Sequence, residues 1–165
     1  MHLQLNGQTT INAAAQDVWR VLAHEFGSVG QWASSIPESQ AVADIPALGG
    51  AEVAGRVCAT AVPGFSAVRE IFTYYDEHTM RFGYEPTEGR PWFITRAENH
   101  WRVRSLGPQM SMVESRAELD MPLFPALFLA PLVKFFMGRV AAQFFEELKY
   151  VVEHGQPHPR KLKAQ

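Results

Sequence analysis

From residue 56 to residue 120 the chain repeats one pattern: a β-prone run, a cluster of turn residues, then another run. Residues 56–62 lead into Pro63-Gly64, 67–75 into Asp76-Glu77-His78, and 80–85 into a turn with Pro86, Gly89 and Pro91. The runs 92–106 and 110–120 end at Gly107-Pro108 and Met121-Pro122. Tight turns join spatial neighbours, so this pattern predicts an antiparallel meander. A helix over about 132–153 follows. Its apolar positions Val133, Phe136, Met137, Val140, Ala141, Phe144, Leu148, Val151 and Val152 cover about half of the helical circumference. A helix resting on a flat neighbour needs a narrower stripe, so a curved sheet is expected to grip this one. Upstream, residues 3–11 read as a first strand. Asn12 offers an N-cap for a helix over about 14–25, and Gly27 offers its stop. A second short helix surrounds Trp32 at 29–34 and ends before Pro37. Residues 39–43 suit a short strand, and the Gly- and Pro-rich 45–55 a loop. The class is α+β.

Composition narrows the functions open to such a chain. Its 165 residues suit one domain, placed at 1–154, with a basic, Pro-containing tail at 155–165. With 47% hydrophobic and only 19% charged residues, the chain is not intrinsically disordered. The net charge of −2 argues against a nucleic-acid partner. Cys58 is the single cysteine, which removes intrachain disulfides and Cys-based zinc sites. The start lacks the basic and apolar regions of a signal peptide. The longest apolar stretch, 119–137, is interrupted by Asp120, Pro122, Pro125, Pro131 and Lys134, so no membrane span is expected. A cytoplasmic chain is the expectation. Eleven Phe mean either a bulky core or an aromatic-lined cavity.

Strand parity selects the inward side chains. In 96–104, Ala97, Asn99, Trp101 and Val103 share the apolar face, while Arg96, Glu98, His100, Arg102 and Arg104 share the wet one. Asn99 is a polar group on an apolar face and needs a partner, a water or a ligand. In 68–75 two parities compete: Val68, Phe72 and Tyr74 inside brings Glu70 inside too, while Ile71 and Tyr75 inside would bury Arg69; the first is preferred because it buries more aromatic area. Phe82 and Tyr84 share a face. In the last strand two parities compete: Met112, Glu114 and Arg116 inward, or Val113, Ser115, Ala117 and Leu119 inward. Hydropathy favours the second.

No phosphate-binding glycine loop, nucleophile elbow or HExxH pair is present. The lysines all lie at or after Lys134, so no sheet lysine is available for a Schiff base. No cofactor and no metal are expected, and Cys58 reads as a small core residue. Glu70 stands out. One reading is a carboxylate in an apolar pocket that orients or protonates a ligand. The other is an acid paired with Arg56 or Arg116. The aromatic set Trp32, Phe72, Tyr74, Phe82, Tyr84 and Trp101 is either core or cavity wall.

Strand, two helices, six-strand meander and long helix come in a familiar order. Its carriers are Ile11-Asn12-Ala13-Ala14-Ala15-Gln16-Asp17-Val18-Trp19, then Trp32, Gly55-Arg56-Val57, Gly64, Glu70 with Tyr75-Asp76, and Glu147-Leu148-Lys149-Tyr150-Val151-Val152-Glu153. Across nearly the whole chain this resembles the SRPBCC superfamily, the START-like helix-grip proteins, and within it the polyketide cyclase/dehydrase-like group. The resemblance implies a seven-stranded antiparallel sheet wrapped around the C-terminal helix, two short helices between strands 1 and 2, and a cavity for a hydrophobic small molecule. It places Glu114 inward, which a bulge would reconcile with hydropathy. Glu70 resembles the cavity glutamate of the plant abscisic-acid receptors. Val62-Pro63-Gly64-Phe65-Ser66 resembles their gate loop with glycine and proline exchanged, and their cavity lysine has no counterpart. The implied ligand-binding set is Trp32, Glu70, Phe72, Tyr74, Phe82, Tyr84, Asn99, Trp101, Glu114, Arg116, Phe136, Val140 and Phe144. Binding or transport of a lipid, polyketide or aromatic compound is the leading expectation. The alternative is a cyclase, aromatase or dehydratase with Glu70 or a tyrosine as general acid or base. The apolar segment 121–131 reads as a lid over the cavity mouth or as a docking surface for a membrane, in peripheral contact, or for a partner.

Overall fold

Alternating side chains and tight turns build one antiparallel sheet from β1 (His2–Ile11), β2 (Ser39–Ala41), β3 (Gly55–Ala59), β4 (Ala67–Asp76), β5 (Arg81–Glu88), β6 (Arg96–Gly107) and β7 (Met110–Asp120). The strand order is β1-β7-β6-β5-β4-β3-β2, so the meander is closed on its last strand by β1. The structure, a computed structural model, describes residues 1–60 and 67–163; the gate-like segment 62–66 lies outside the described residues. Among the described residues, three α-helices complete the fold: α1 (Ala15–Trp19), α2 (Leu123–His154) and α3 (Pro159–Lys163).

Between β1 and β2 the chain is wound more irregularly than its spacing predicts. α1 is short and passes into a π-helical turn over Arg20–His24, then a 3-10 helix over Phe26–Gln31. Ala14, not Asn12, holds the N-cap position. The Asn12 backbone N–H instead donates to Glu153 on α2 at 2.7 Å. Gly27 does not stop the helix; it lies inside the 3-10 turn. Close packing is its role, because a Cβ there would meet Ala41 at 2.9 Å.

α2 begins at Leu123, well before the expected start near 132, and runs unbroken for 32 residues. Pro125 sits in its first turn, where the missing N–H is tolerated, and Pro131 lies in the interior. Two separate hydrophobic clusters hold the helix. At its C-terminal end Phe145 and Leu148 join the main core with Trp19, Phe26, Phe82 and Trp101, and Phe144 packs alongside. At its N-terminal end Ala126 and Ala130 pack on Ile94, Ala97, Leu119 and Met121. Gly7 on β1 makes room for the helix, since a Cβ would lie 2.3 Å from the Phe145 ring. Between these anchors the helix stands off the sheet.

The tail is folded back as α3. Lys161 is 1% exposed and donates through Nζ to the carbonyls of Ile36 and Pro37 at 3.0 and 3.1 Å. Arg160 donates to Glu147 at 3.0 Å, and buried Glu147 also accepts from Ser34 N–H at 2.8 Å.

Candidate functional site

Where α2 stands off the sheet lies a cavity of about 690 Å³. Leu5, Gly7 and Thr9 of β1, Ala97, Asn99 and Trp101 of β6, and Ser115, Ala117 and Leu119 of β7 form its floor. Met137, Val140, Ala141, Phe144 and Phe145 of α2 form its roof. Cys58, Val68, Glu70 and Tyr84 extend the wall toward β3, β4 and β5. The size suits a drug- or lipid-sized molecule.

Toward β3, β4 and β5 this mostly apolar space is polar. β3 and β4 pair Arg56 with Glu70 directly across the ladder, so both side chains point to the same face. Arg56 Nε donates to Glu70 Oε2 at 2.6 Å. The guanidinium lies 4.0 Å above the centre of the Phe26 ring and 5.2 Å from that of Tyr84. Its Nη2 reaches the Tyr84 hydroxyl at 3.5 Å. Burial alone would lower the Arg56 pKa, but Glu70 and the neighbouring Tyr84 outweigh it and keep the group charged. Burial, reinforced by the Glu70 carboxylate, pushes the Tyr84 hydroxyl well above its ordinary value. Burial likewise pushes the Cys58 thiol up to about 11. Tyr84 and Cys58 therefore stay protonated at neutral pH, and the Arg56–Glu70 pair is charge-neutral as a unit. Asn99 lines the same cavity, and among the described residues its side-chain amide makes no hydrogen bond.

The sequence-derived residues fall into three groups. Glu70, Tyr84, Asn99, Trp101, Val140 and Phe144 line the cavity. Trp32, Phe72 and Phe82 are buried in the main core instead, with Trp32 against Phe144 and Phe72 against Phe26. Tyr74, Glu114, Arg116 and Phe136 point elsewhere. The β4–β5 register shifts between Phe72 and Tyr74. This bulge inserts one residue, so Tyr74 turns outward and Tyr75 packs on the core in its place. The Tyr74 ring lies across Gly83, where a Cβ would come within 2.4 Å of it, and stacks on His100. β7 keeps one parity, with Val113, Ser115, Ala117 and Leu119 inward and no bulge in its pairing with β1. Glu114 and Arg116 therefore lie on the outer face, where Glu114 pairs with Arg104 and Arg116 with Glu118, each at 3.0 Å. Phe136 is 45% exposed and does not line the cavity. Among the described residues of 121–131, none lines the cavity.

Arg56 and Cys58 are wall residues that strand parity did not select. β3 is only five residues long, too short for its alternation to stand out. The pairing of Arg56 with Glu70 was one of two open readings of that acid.

The profile of the family "Polyketide cyclase / dehydrase and lipid transport" matches residues 2–153. No curated protein sequence matches the chain. Among solved structures, a START superfamily protein from Mycobacterium smegmatis is similar at TM-score 0.76 and 16% identity, covering 94% of this chain and 100% of that one. A norcoclaurine synthase point mutant from Thalictrum flavum is similar at TM-score 0.70 and 16% identity, over 92% and 94% of the two chains. The protein XoxI from Bacillus cereus follows at TM-score 0.71 and 15% identity, over 94% and 99%. At such identities the structures share the fold, a seven-stranded antiparallel sheet with a long C-terminal helix. The profile covers nearly the whole sheet and α2, and the chain therefore belongs to the polyketide cyclase/dehydrase and lipid transport family.

Proposed function

We propose that this protein binds or carries a hydrophobic small molecule whose polar group is uncharged. The observation that carries the reading is the cavity of about 690 Å³, mostly apolar, with the paired Arg56 and Glu70 in its wall and Lys149 and Glu146 lining it from α2. Its walls supply the hydrophobic contribution. Its polar groups include donors on Arg56, Tyr84 and Asn99 and acceptors on Glu70 and Asn99. Because Arg56 is already neutralised by Glu70 at 2.6 Å, a ligand carboxylate would meet the Glu70 charge as well as the guanidinium. A hydroxyl, carbonyl or amide head group meets no such repulsion.

The cyclase, aromatase or dehydratase reading has less support. A general base must be free to take a proton. Glu70 is tied to Arg56, and Tyr84 is held protonated.

Two measurements test the proposal. Mass spectrometry of organic extracts from purified protein is expected to find a neutral lipid or polyketide-like compound in stoichiometric amount. Displacement of a bound fluorescent hydrophobic probe is expected to need less monoacylglycerol than fatty acid of the same chain length. A fatty acid that displaces better than its neutral ester would contradict the assigned head group. Turnover of a polyketide-like substrate, lost in Glu70→Gln, would replace the binding reading with the enzymatic one.

A further inference from the structure

The first half of α2 carries far more apolar surface than it buries. Leu123, Phe124, Leu127, Phe128, Leu132, Phe135 and Phe136 are between 45% and 78% exposed. Scattered exposed hydrophobes are ordinary, but a contiguous patch marks a contact. At about 100° per residue these seven positions span an arc of roughly 220° on one helix. The opposite side holds Ala126 and Ala130, which are buried against the sheet. Next to that end Trp92 is 82% exposed and stands edge-on to Phe93, which packs on the same cluster as Ala126 and Ala130.

Charge distinguishes between occupants. No Asp or Glu occurs between Asp120 and Glu146, while Lys134 and Arg139 both lie there and are exposed. On the helical wheel they fall within the arc, at about 20° and about 160° from Leu123, and flank its central positions Leu127, Phe124, Phe135 and Phe128. From those positions long cationic side chains reach outward while the arc between them is immersed. A second copy of the chain seated on this face would bring two sets of these cations together with no acid in the patch to pair them. An anionic lipid surface pairs them all and also accepts the apolar arc. Tryptophan near the edge of such a surface takes its favoured interfacial place.

We propose that the 123–139 face of α2, with Trp92 beside it, is a docking surface for an anionic lipid bilayer. The helix lies in the interface and does not cross it. By length and composition residues 126–154 would suffice to cross. However, the exposed apolar part covers 123–136, about 21 Å of helix against a hydrocarbon core of about 30 Å. The remainder is anchored to the sheet through Phe145 and Leu148 and carries buried Glu147. The cavity roof begins at Met137, so the docked face leads directly to the cavity.

Flotation with phosphatidylcholine vesicles, with and without phosphatidylglycerol, tests this. The full chain is expected to float with the anionic vesicles and to partition roughly tenfold less into neutral ones. F124S/F128S is expected to lose flotation with an unchanged circular dichroism spectrum, because both rings are exposed. K134E/R139E is expected to lose the preference for anionic vesicles. Cavity-filling Ala141→Trp is expected to float like the wild type, so a failure of the binding reading leaves this test intact. Absence of flotation, or flotation unchanged in both double variants, overturns the proposal. A dimer in sedimentation equilibrium that F124S/F128S converts to monomer, without vesicle binding by the wild type, overturns it in favour of a second copy.

Discussion

At Arg56 a guanidinium is removed from water and held by one carboxylate and two aromatic rings. Removing a single partner of such a pair leaves a buried charge uncompensated, which costs about 3–5 kcal/mol. Arg56→Met is therefore expected to lower unfolding stability in urea by about 3 kcal/mol, at the low end because Glu70 keeps some solvent contact. The double variant Arg56→Met/Glu70→Met is expected to recover most of that loss while still losing the neutral-lipid preference. Cys58 gives a second test at this scale. With its thiol pushed up to about 11, little thiolate exists at pH 8, and the side chain is buried. Native protein is expected to react with a thiol reagent at least tenfold more slowly than unfolded protein. Equal rates would contradict the burial assigned to it. The inward place of Glu70 was read by preferring the parity of Val68 and Phe72, for its aromatic area, over that of Ile71 and Tyr75. Its partner was only one of two candidates, because sequence spacing does not reveal which strands pair.

Single elements deviate where local signals are silent. The bulge after Phe72 reverses the side-chain parity of β4, and it carries no Gly or Pro to mark it. The outward turn of Tyr74 was therefore unreadable from the strand pattern. The π and 3-10 turns after α1 come from packing, since Gly27 lies against Ala41. The turn linking β4 to β5 is tied to this region through Glu77. Its carboxylate accepts from Trp19 Nε1 at 2.8 Å and Tyr75 Oη at 2.9 Å and pairs with His24 at 3.0 Å. Burial opposes ionisation, but these hydrogen bonds outweigh it and hold Glu77 below its ordinary 4.5. A lowered folded-state value stabilises the fold above the unfolded value, and the contribution fades as pH falls through the folded one. The stability difference between wild type and Glu77→Gln is thus expected to be full above about pH 4.5 and to shrink steadily below it. A difference that grows toward acid pH would refute the arrangement. α3 makes its own prediction. Lys161→Met removes two hydrogen bonds from a cation to backbone carbonyls. It is expected to cost about 1–3 kcal/mol and to abolish amide-exchange protection in 159–163. A tail that reads as a basic, Pro-containing extension hides this anchor, because only the fold brings 36–37 beneath it.

Over the whole molecule, two hydrophobic clusters clamp α2 at its ends and leave its middle raised over the sheet. The antiparallel meander and the long helix follow from the turn spacing and the broad apolar stripe, and both were legible in the sequence, whereas the place of β1 beside β7 was not. The split between core and cavity wall was not. Both roles take apolar side chains at identical parity, so Phe82 and Tyr84 look alike until the height of α2 above each is known. The excess of phenylalanine accordingly divides three ways. Among the described residues, Phe26, Phe72 and Phe82 fill the main core and Phe93 packs on the second cluster, Phe144 and Phe145 line the cavity, and Phe124, Phe128, Phe135 and Phe136 face solvent. The most direct test of the central claim is a titration of wild type and Ala141→Trp with a fluorescent hydrophobic probe. The indole is placed to fill the space beneath the raised middle of α2, where Ala141 lines the cavity. Saturable binding at one probe per chain in the wild type, and loss of that binding in a folded Ala141→Trp, is the predicted result. Equal binding by both proteins, or none by the wild type, would contradict a ligand site between the sheet and the helix.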